Sequence, residues 1–406
     1  MKKTIVSVLI LCLFLTVCGE TAFGEASPKD LSAEKLCQAG KDAVEAKDYE
    51  KAMECFQLAA DQDYAEAWRY IGNMYANGEG MEPDYDKAMK CFQMALDKGD
   101  AKALRSIGTL YYYGHGVEQS YENAMEYWQL SADQGDSDAL VSLAYLYGHG
   151  EGVEQSFEKA MEYYKLAAAQ DNANAMSILG NMYFYADGVD QDFEKATEYY
   201  QMAADRGNVD AMYNLGYLYL SGLGAEQSYE KTLKYWELAA DQGNVYAQSG
   251  LGTLYSTGDG VEQSYEKAAK YLQQAADQGY APAQCELGRM YAEGAGVEQS
   301  YEKALECFQL AADQGDAYGL SCLGSLYAEG IGAEQSYEKA AECFQLAADQ
   351  GFAPAQYMLG CLYEEGKGVK QSYETAAKYY RMAADQEFEE AQTALNRLVK
   401  EGHVDK

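Results

Sequence analysis

Positive charge is what this 406-residue chain has least of: 31 lysines and arginines face 65 aspartates and glutamates, a formal net charge of −34. Removing residues 1 to 24, which carry Lys2, Lys3 and Glu20 (net +1), takes −34 to −35. Such a surface repels phosphate backbones and anionic headgroups, so neither nucleic acid nor an acidic membrane surface is an expected partner. A basic partner would be attracted, although the ordinary effect of so much charge is solubility. Long apolar runs are also missing: after residue 24 no segment approaches the ~20 apolar residues that a bilayer crossing needs. Histidine is confined to His115, His149 and His403. Two of these sit in glycine loops with no cysteine nearby, and a metal site needs three or four ligands, so no metal is expected. Proline occurs four times against 39 glycines. Glycine pairs such as Gly258-Asp259-Gly260 follow a helical pattern and no G-K-[ST] accompanies them, so they are not phosphate cradles and no cofactor is expected.

Tyrosine is abundant, with 38 copies, and it recurs at a fixed period of 36 residues. Gly72 repeats in register through Gly360, with Ala144 as the one substitution, and Tyr75 repeats through Tyr363 without exception. Gly80 repeats through Gly368, and an aromatic follows at each position from 85 to 373. Periodicity of this kind replaces the usual estimate of domain number from length.

Residues 281 to 314 show one repeat. Ala283, Leu287, Gly288 and Tyr291 fall at helical spacing, so Ala281 to Ala292 is predicted to be an amphipathic helix. Gly294-Ala295-Gly296 ends it, since glycine takes the left-handed conformation that closes helices. Ser300 is the expected N-cap of a second helix, a position held elsewhere by Asp84 and Asp192. Tyr301, Ala304, Phe308, Ala311 and Ala312 give that helix its apolar face. Gly288 and Ala304 are expected to let the two backbones approach closely. One such pair cannot bury enough apolar surface alone, but stacked neighbours can.

Four segments result. Residues 1–24 are expected to be an export signal, with a basic start, an apolar run from Thr4 to Val17 and small residues at Ala22 and Gly24. Lipidation at Cys18 competes with cleavage after Gly24, because Leu15-Thr16-Val17-Cys18 is similar to a lipoprotein box, with Val17 where the box takes a small residue. Either route places the chain outside the cytoplasm: periplasmic or extracellular, or an outer-membrane lipoprotein. Residues 25–63 form an N-terminal cap whose helix pair has a shorter link, since Gly40 stands nearer to Ala52 in sequence than Gly72 does to Ala88. Residues 64–388 hold nine repeats, and 389–406 a more polar capping helix and tail, with Asn396 at the glycine position.

The pattern A-x-x-x-L-G-x-x-Y-x-x-G-x-G-V, followed by Y-E-K-A and A-A-D-Q-G, resembles the Sel1-like repeat family. It is well seen at Leu323-Gly324, Tyr327, Gly330, Gly332 and Tyr337-Glu338-Lys339-Ala340. The resemblance covers roughly residues 64 to 388. It implies an all-α, right-handed α-solenoid of stacked antiparallel helix pairs, a tetratricopeptide-like superhelix that serves as an adaptor or scaffold for protein partners and not as an enzyme. Exported Helicobacter cysteine-rich members of the family imply an alternative, β-lactam binding or hydrolysis, though their regular two-cysteine unit is absent here.

Ser156, Ser228, Ser264, Ser300 and Ser336 each begin S-x-x-K, ending at Lys159, Lys231, Lys267, Lys303 and Lys339. In penicillin-recognising enzymes that spacing sets an amine beside a nucleophilic serine, but no S-D-N or K-T-G triplet is present. The plainer expectation is a capping serine with a solvent-facing lysine one turn on.

Eight cysteines follow the signal, in a compartment expected to be oxidising. Three residues outward from the Gly288–Ala304 approach stand Cys285 and Cys307, a candidate disulfide. The same arithmetic pairs Cys37 with Cys55 and nearly pairs Cys322 with Cys343. Cys361 competes for Cys343, and Cys91 has no evident mate. The competing placement points Cys37 and Cys285 into the groove.

In tetratricopeptide-like stacks the first helices line the concave face. Groove positions are then three before, one after and five after the recurrent glycine. They hold Arg69, Asn73, Asn77, Arg105, Thr109, Tyr113, Tyr145, Asn181, Tyr185, Tyr213 and Tyr217, and later Glu293, Glu329 and Glu365. An extended peptide or helix is the expected ligand, anchored on the tyrosines and held through its backbone by Asn73 and Asn181. The alternative is that these tyrosines are half-exposed packing residues.

Overall fold

The computed structural model describes residues 31–405, so the segment expected to be an export signal and Cys18 lie outside the described residues. Among the described residues every regular element is a helix, 21 in all. They belong to two compact units that meet in sequence at Asn172 and Ala173. The first holds four helix pairs: Ala33–Glu45 with Tyr49–Ala60, Ala65–Asn77 with Tyr85–Asp97, Ala103–Tyr113 with Tyr121–Ala132, and Ser137–His149 with Phe157–Ala169. The second holds six pairs, from Ala173–Tyr185 with Phe193–Ala204 to Ala353–Glu365 with Tyr373–Ala384, and closes with the expected last helix, Glu389–Glu401. Within each unit a helix packs on the one before it and the one after it.

Helix boundaries follow local chemistry. The helix expected from Ala281 runs to Glu293, where Gly294 takes φ 72° and its N–H bonds back into the last turn. Ser300 accepts a hydrogen bond from the Lys303 amide at 3.2 Å, and Asp84 and Asp192 accept from Lys87 and Lys195 at 2.9 and 3.0 Å. These side chains satisfy amides that the first turn leaves without partners. In one repeat Ala186 stands where the others have the closing glycine and still takes φ 64°. The N-terminal pair closes faster: only Ala46, Lys47 and Asp48 separate Glu45 from Tyr49, with Lys47 at φ 58°.

Two recurrent slots explain the sequence period. In the first, the glycine of each first helix faces a large side chain of the second. A Cβ on Gly72 would stand 2.5 Å from the Phe92 ring, and one on Gly288 2.9 Å from Phe308. Gly288 therefore makes room chiefly for an aromatic ring, beside the close approach expected at Ala304. Trp128 and Trp236 fill the slot elsewhere and donate Nε1–H to the carbonyls of Arg105 and Tyr213 at 3.1 and 3.0 Å. In the second slot the recurrent first-helix tyrosine stacks on a tyrosine of the second helix. Tyr147–Tyr163 and Tyr255–Tyr271 have centroids 5.6 and 6.0 Å apart and rings within 11° and 3° of parallel. Where the second helix lacks tyrosine, the slot holds Cys91, Cys307 or Cys343.

The link between helices also reaches backwards. Gly332 lies so near the start of the preceding repeat's second helix that a Cβ would come 2.6 Å from the Tyr301 carbonyl oxygen; on Gly116 it would come 2.8 Å from Tyr85 Cβ.

Candidate functional site: aromatic clusters on the first helices

The three rows assigned to a groove differ in environment. Residues −3, +1 and +5 from the glycine are four apart, and at 3.6 residues per turn each step rotates by about 40°. Five residues after the glycine, Tyr113 and Tyr185 are 59% and 65% exposed; one residue after it, Tyr145 and Tyr217 are 39% and 41% exposed. Asn73 is half-buried.

Arg69, Arg105 and Tyr213 of the −3 row, expected to line the groove, make contacts within the stack. Arg69 is buried and donates to Asp100 at 2.7 Å and Glu66 at 3.2 Å, with its guanidinium 4.7 Å above the Tyr70 ring. Arg105 reaches Asp136 at 3.0 Å. Tyr213 is half-buried between Trp236 and Tyr246, 5.8 and 5.7 Å away, and burial pushes its phenol pKa up. Asn181 is also committed within the protein: its Oδ1 accepts from the Tyr200 hydroxyl at 2.7 Å and from Asn214 at 3.3 Å. Glu293 pairs with Arg289, and Glu365 with Lys367.

All eight described cysteines are free thiols, so Cys37–Cys55, Cys285–Cys307 and Cys322–Cys343 are not bonded. The reason is which way each points. Cys285 Sγ lies 3.3 Å from Asp316, the N-cap of the next first helix, whereas Cys307 feels Asp277 of the preceding repeat. Cys343 likewise packs back toward Ala304 and Phe308. Cys37 is buried and feels Glu66, Arg69 and Asp100 of the next repeat. Cys37 and Cys285 thus face forward along the stack and Cys307 backward, while Cys322 and Cys343 pack against one shared cluster. Burial pushes Cys37, Cys307, Cys322 and Cys343 up to about 11 and raises Cys55.

The S-x-x-K residues are structural too. Ser156, Ser228, Ser264 and Ser336 accept from the amides of Lys159, Lys231, Lys267 and Lys339, each at 3.3 Å. The lysines are exposed, as expected, and also lie over the first-helix tyrosine: Lys159, Lys231 and Lys303 are 5.0, 4.5 and 5.1 Å from the centroids of Tyr147, Tyr219 and Tyr291.

Tyr113 with Tyr145, and Tyr185 with Tyr217, belong to two aromatic clusters, one in each compact unit. In the first, Tyr112 stands edge-on to Tyr113 and Tyr145, with centroids 4.7 and 6.2 Å away, and its hydroxyl donates to Glu151. With Thr109, Trp128, Val141 and Ser142 these rings enclose a notch of about 310 Å³. His149 stacks on Tyr145 at 3.9 Å, and His115 on Tyr85 at 4.2 Å. In the second, Phe184 meets Tyr185 and Tyr217 edge-on at 4.7 and 6.2 Å. Tyr112 and Phe184, one residue before the +5 row, were missed by a rule that tracked single positions; they are readable as aromatic doublets, Tyr112-Tyr113 and Phe184-Tyr185. A further row was also missed. Leu130, Leu166, Leu238, Leu310 and Leu346, equivalent positions of successive repeats, are 43–57% exposed on second helices. Among the described residues no group of three or more His, Cys, Asp or Glu could hold a metal, and no helix is long and apolar enough to cross a membrane.

Stacked helix pairs of one length, joined by glycine links and presenting side chains along their first helices, define a helical repeat protein of the solenoid class. The Sel1 repeat model matches ten consecutive segments: 31–64, 65–100, 101–136, 137–172, 173–208, 209–244, 245–280, 281–316, 317–352 and 353–388. The chain belongs to the Sel1 repeat family, and the N-terminal pair with the short link is matched along with the nine longer repeats. Among solved structures it is similar to a protective antigen of uropathogenic Escherichia coli that displays an SLR fold. The two are 32% identical with a TM-score of 0.70, over 92% of this chain and 80% of that one. It is also similar to a Sel1 repeat protein from Oxalobacter formigenes, 28% identical with a TM-score of 0.59, over 86% of this chain and 98% of the other. No curated protein matches the chain.

Proposed function

We propose that this protein is an exported scaffold that binds a protein or peptide partner along its first helices. The observation that carries the reading is the exposure of Tyr113, Tyr145, Tyr185 and Tyr217, large rings left in solvent on the helices that face a ligand in such stacks. Tyrosine offers large contact area for little conformational entropy, which suits it to anchor a partner. Sel1 repeats generally serve as protein-interaction scaffolds, and that role requires no catalytic group. Export rests on the character of residues 1–24, and the similarity to a protective antigen supports it. The β-lactam alternative draws no support from Ser300 and its equivalents, whose hydroxyls are engaged as helix caps.

The test is partner capture. Tyr145, Tyr185 and Tyr217 replaced together by alanine should abolish capture of a partner that the unaltered mature chain retains, with the helical circular dichroism unchanged. Undiminished capture by that variant would remove the first-helix tyrosines from the binding surface.

A further inference from the structure

The notch of the first compact unit has a chemistry that the exposed tyrosines alone do not specify. Tyr113 and Tyr145 each stand edge-on to Tyr112 around one small space, and each is stacked on a histidine, His115 and His149. Trp128 lies 5.5 Å from Tyr112. The Tyr112 hydroxyl, whose ring lines the notch, donates to a half-buried carboxylate, Glu151. Ring faces carry the negative lobe of the aromatic quadrupole and attract a cation within about 6 Å, more strongly when a carboxylate stands by.

Elsewhere this chain supplies such cations itself. Lysines cover Tyr75, Tyr147, Tyr183, Tyr219, Tyr255, Tyr291 and Tyr327 at 4.5–5.2 Å. Among the described residues no lysine or arginine lies over Tyr112, Tyr113 or Tyr145. From residue 106 to residue 158 there are nine aspartates and glutamates and no lysine or arginine at all. The cations flanking that stretch are committed, Arg105 to Asp136 and Asp138 and Lys159 to Tyr147. At about 310 Å³ the space lies at the small end of the range for ligand sites and is ample for one side chain.

We propose that this notch seats the lysine or arginine side chain of a basic peptide segment, its cation ringed by Tyr112, Tyr113 and Tyr145 and neutralised by Glu151. The proposal rests on the scaffold reading and names the chemistry its partner must carry. The −34 charge of the whole chain draws such a segment toward the protein, and the notch fixes where one side chain docks.

The test is fluorescence anisotropy of a labelled peptide alternating lysine and glycine, against its glutamate counterpart, on the full mature chain. The lysine peptide should bind and the glutamate peptide should not. Glu151→Gln keeps an acceptor for the Tyr112 hydroxyl but removes one charge among many, so diffuse attraction hardly changes. It should weaken binding by about tenfold, whereas Glu302→Gln, in the other compact unit, should leave it unchanged. Tetramethylammonium chloride should displace the peptide from the unaltered protein more effectively than sodium chloride at matched ionic strength. Equal affinity of the Glu151→Gln and Glu302→Gln proteins, or equal displacement by the two salts, would overturn the proposal. If the triple alanine protein loses its partner while the lysine peptide ignores Glu151, the scaffold reading stands and the cation seat falls.

Discussion

A hydrogen atom in place of a methyl group sets the distance between the two helices of a repeat. Because a Cβ at Gly72 would stand 2.5 Å from the Phe92 ring, Gly72→Ala should overpack the pair and cost ~1–3 kcal/mol in urea unfolding. Phe92→Leu, which copies the Gly252–Leu272 pairing found in the same chain, should recover part of the loss in the double variant. The position of this glycine was legible in the sequence. The expected approach to the alanine position of the second helix is seen, with Gly108 near the Ala124 carbonyl, but the ring one turn further on was not foreseen. The cysteines were harder still. Helical arithmetic placed Cys285 near Cys307 in height but not in direction, and only packing shows that they face different repeats. Those thiols also have a pH signature. Unfolded thiols ionise near pH 8.5–9, while burial holds Cys37, Cys91, Cys307, Cys322 and Cys343 at about 11 in the folded chain. Between those values the native state binds more protons than the unfolded state, so stability is full below pH 8.5 and falls as pH rises toward 11. Replacing Cys307 and Cys343 by alanine should flatten that fall in urea melts taken across the range.

Helix ends and helix faces were legible to different degrees. The caps of the second helices and the glycine stops of the first could be read from residue type because each acts on amides or backbone of a single turn. Which stripe of a first helix meets a ligand could not, since the angular drift from row to row turns Arg69, Arg105 and Tyr213 into the stack. Arg69 shows the outcome: an arginine assigned to a groove is buried in an ion pair with Asp100. The second helices hold the opposite case, exposed leucines where the pattern suggested only a packed helix. Leu166 is 54% exposed, and Gln274 occupies the equivalent place in another repeat. Leu166→Gln should therefore shift the urea midpoint by no more than ~0.5 kcal/mol of stability, a null result that a core leucine such as Leu143 could not give.

At the scale of the whole chain, charge and repetition set the behaviour. A net charge of −34 makes like charges on successive repeats repel, a cost that added salt screens within about 10 Å at 0.1 M. Raising sodium chloride from low to moderate concentration should raise the thermal midpoint; a midpoint that falls would mean that the scattered lysine–carboxylate pairs outweigh the repulsion. The family and the all-helical class were legible because both depend on period and residue type, whereas the ligand surface depends on directions that only packing resolves. The link glycines bear on how such a chain can change in length. Each of Gly116 and Gly332 is wedged against the helix before it, so a single residue added to or lost from a link would spoil two packing interfaces at once. Growth by small insertions is thereby blocked, and a gene of this kind can lengthen or shorten only by copying or deleting complete modules, a ratchet that accounts for nine repeats without one slip.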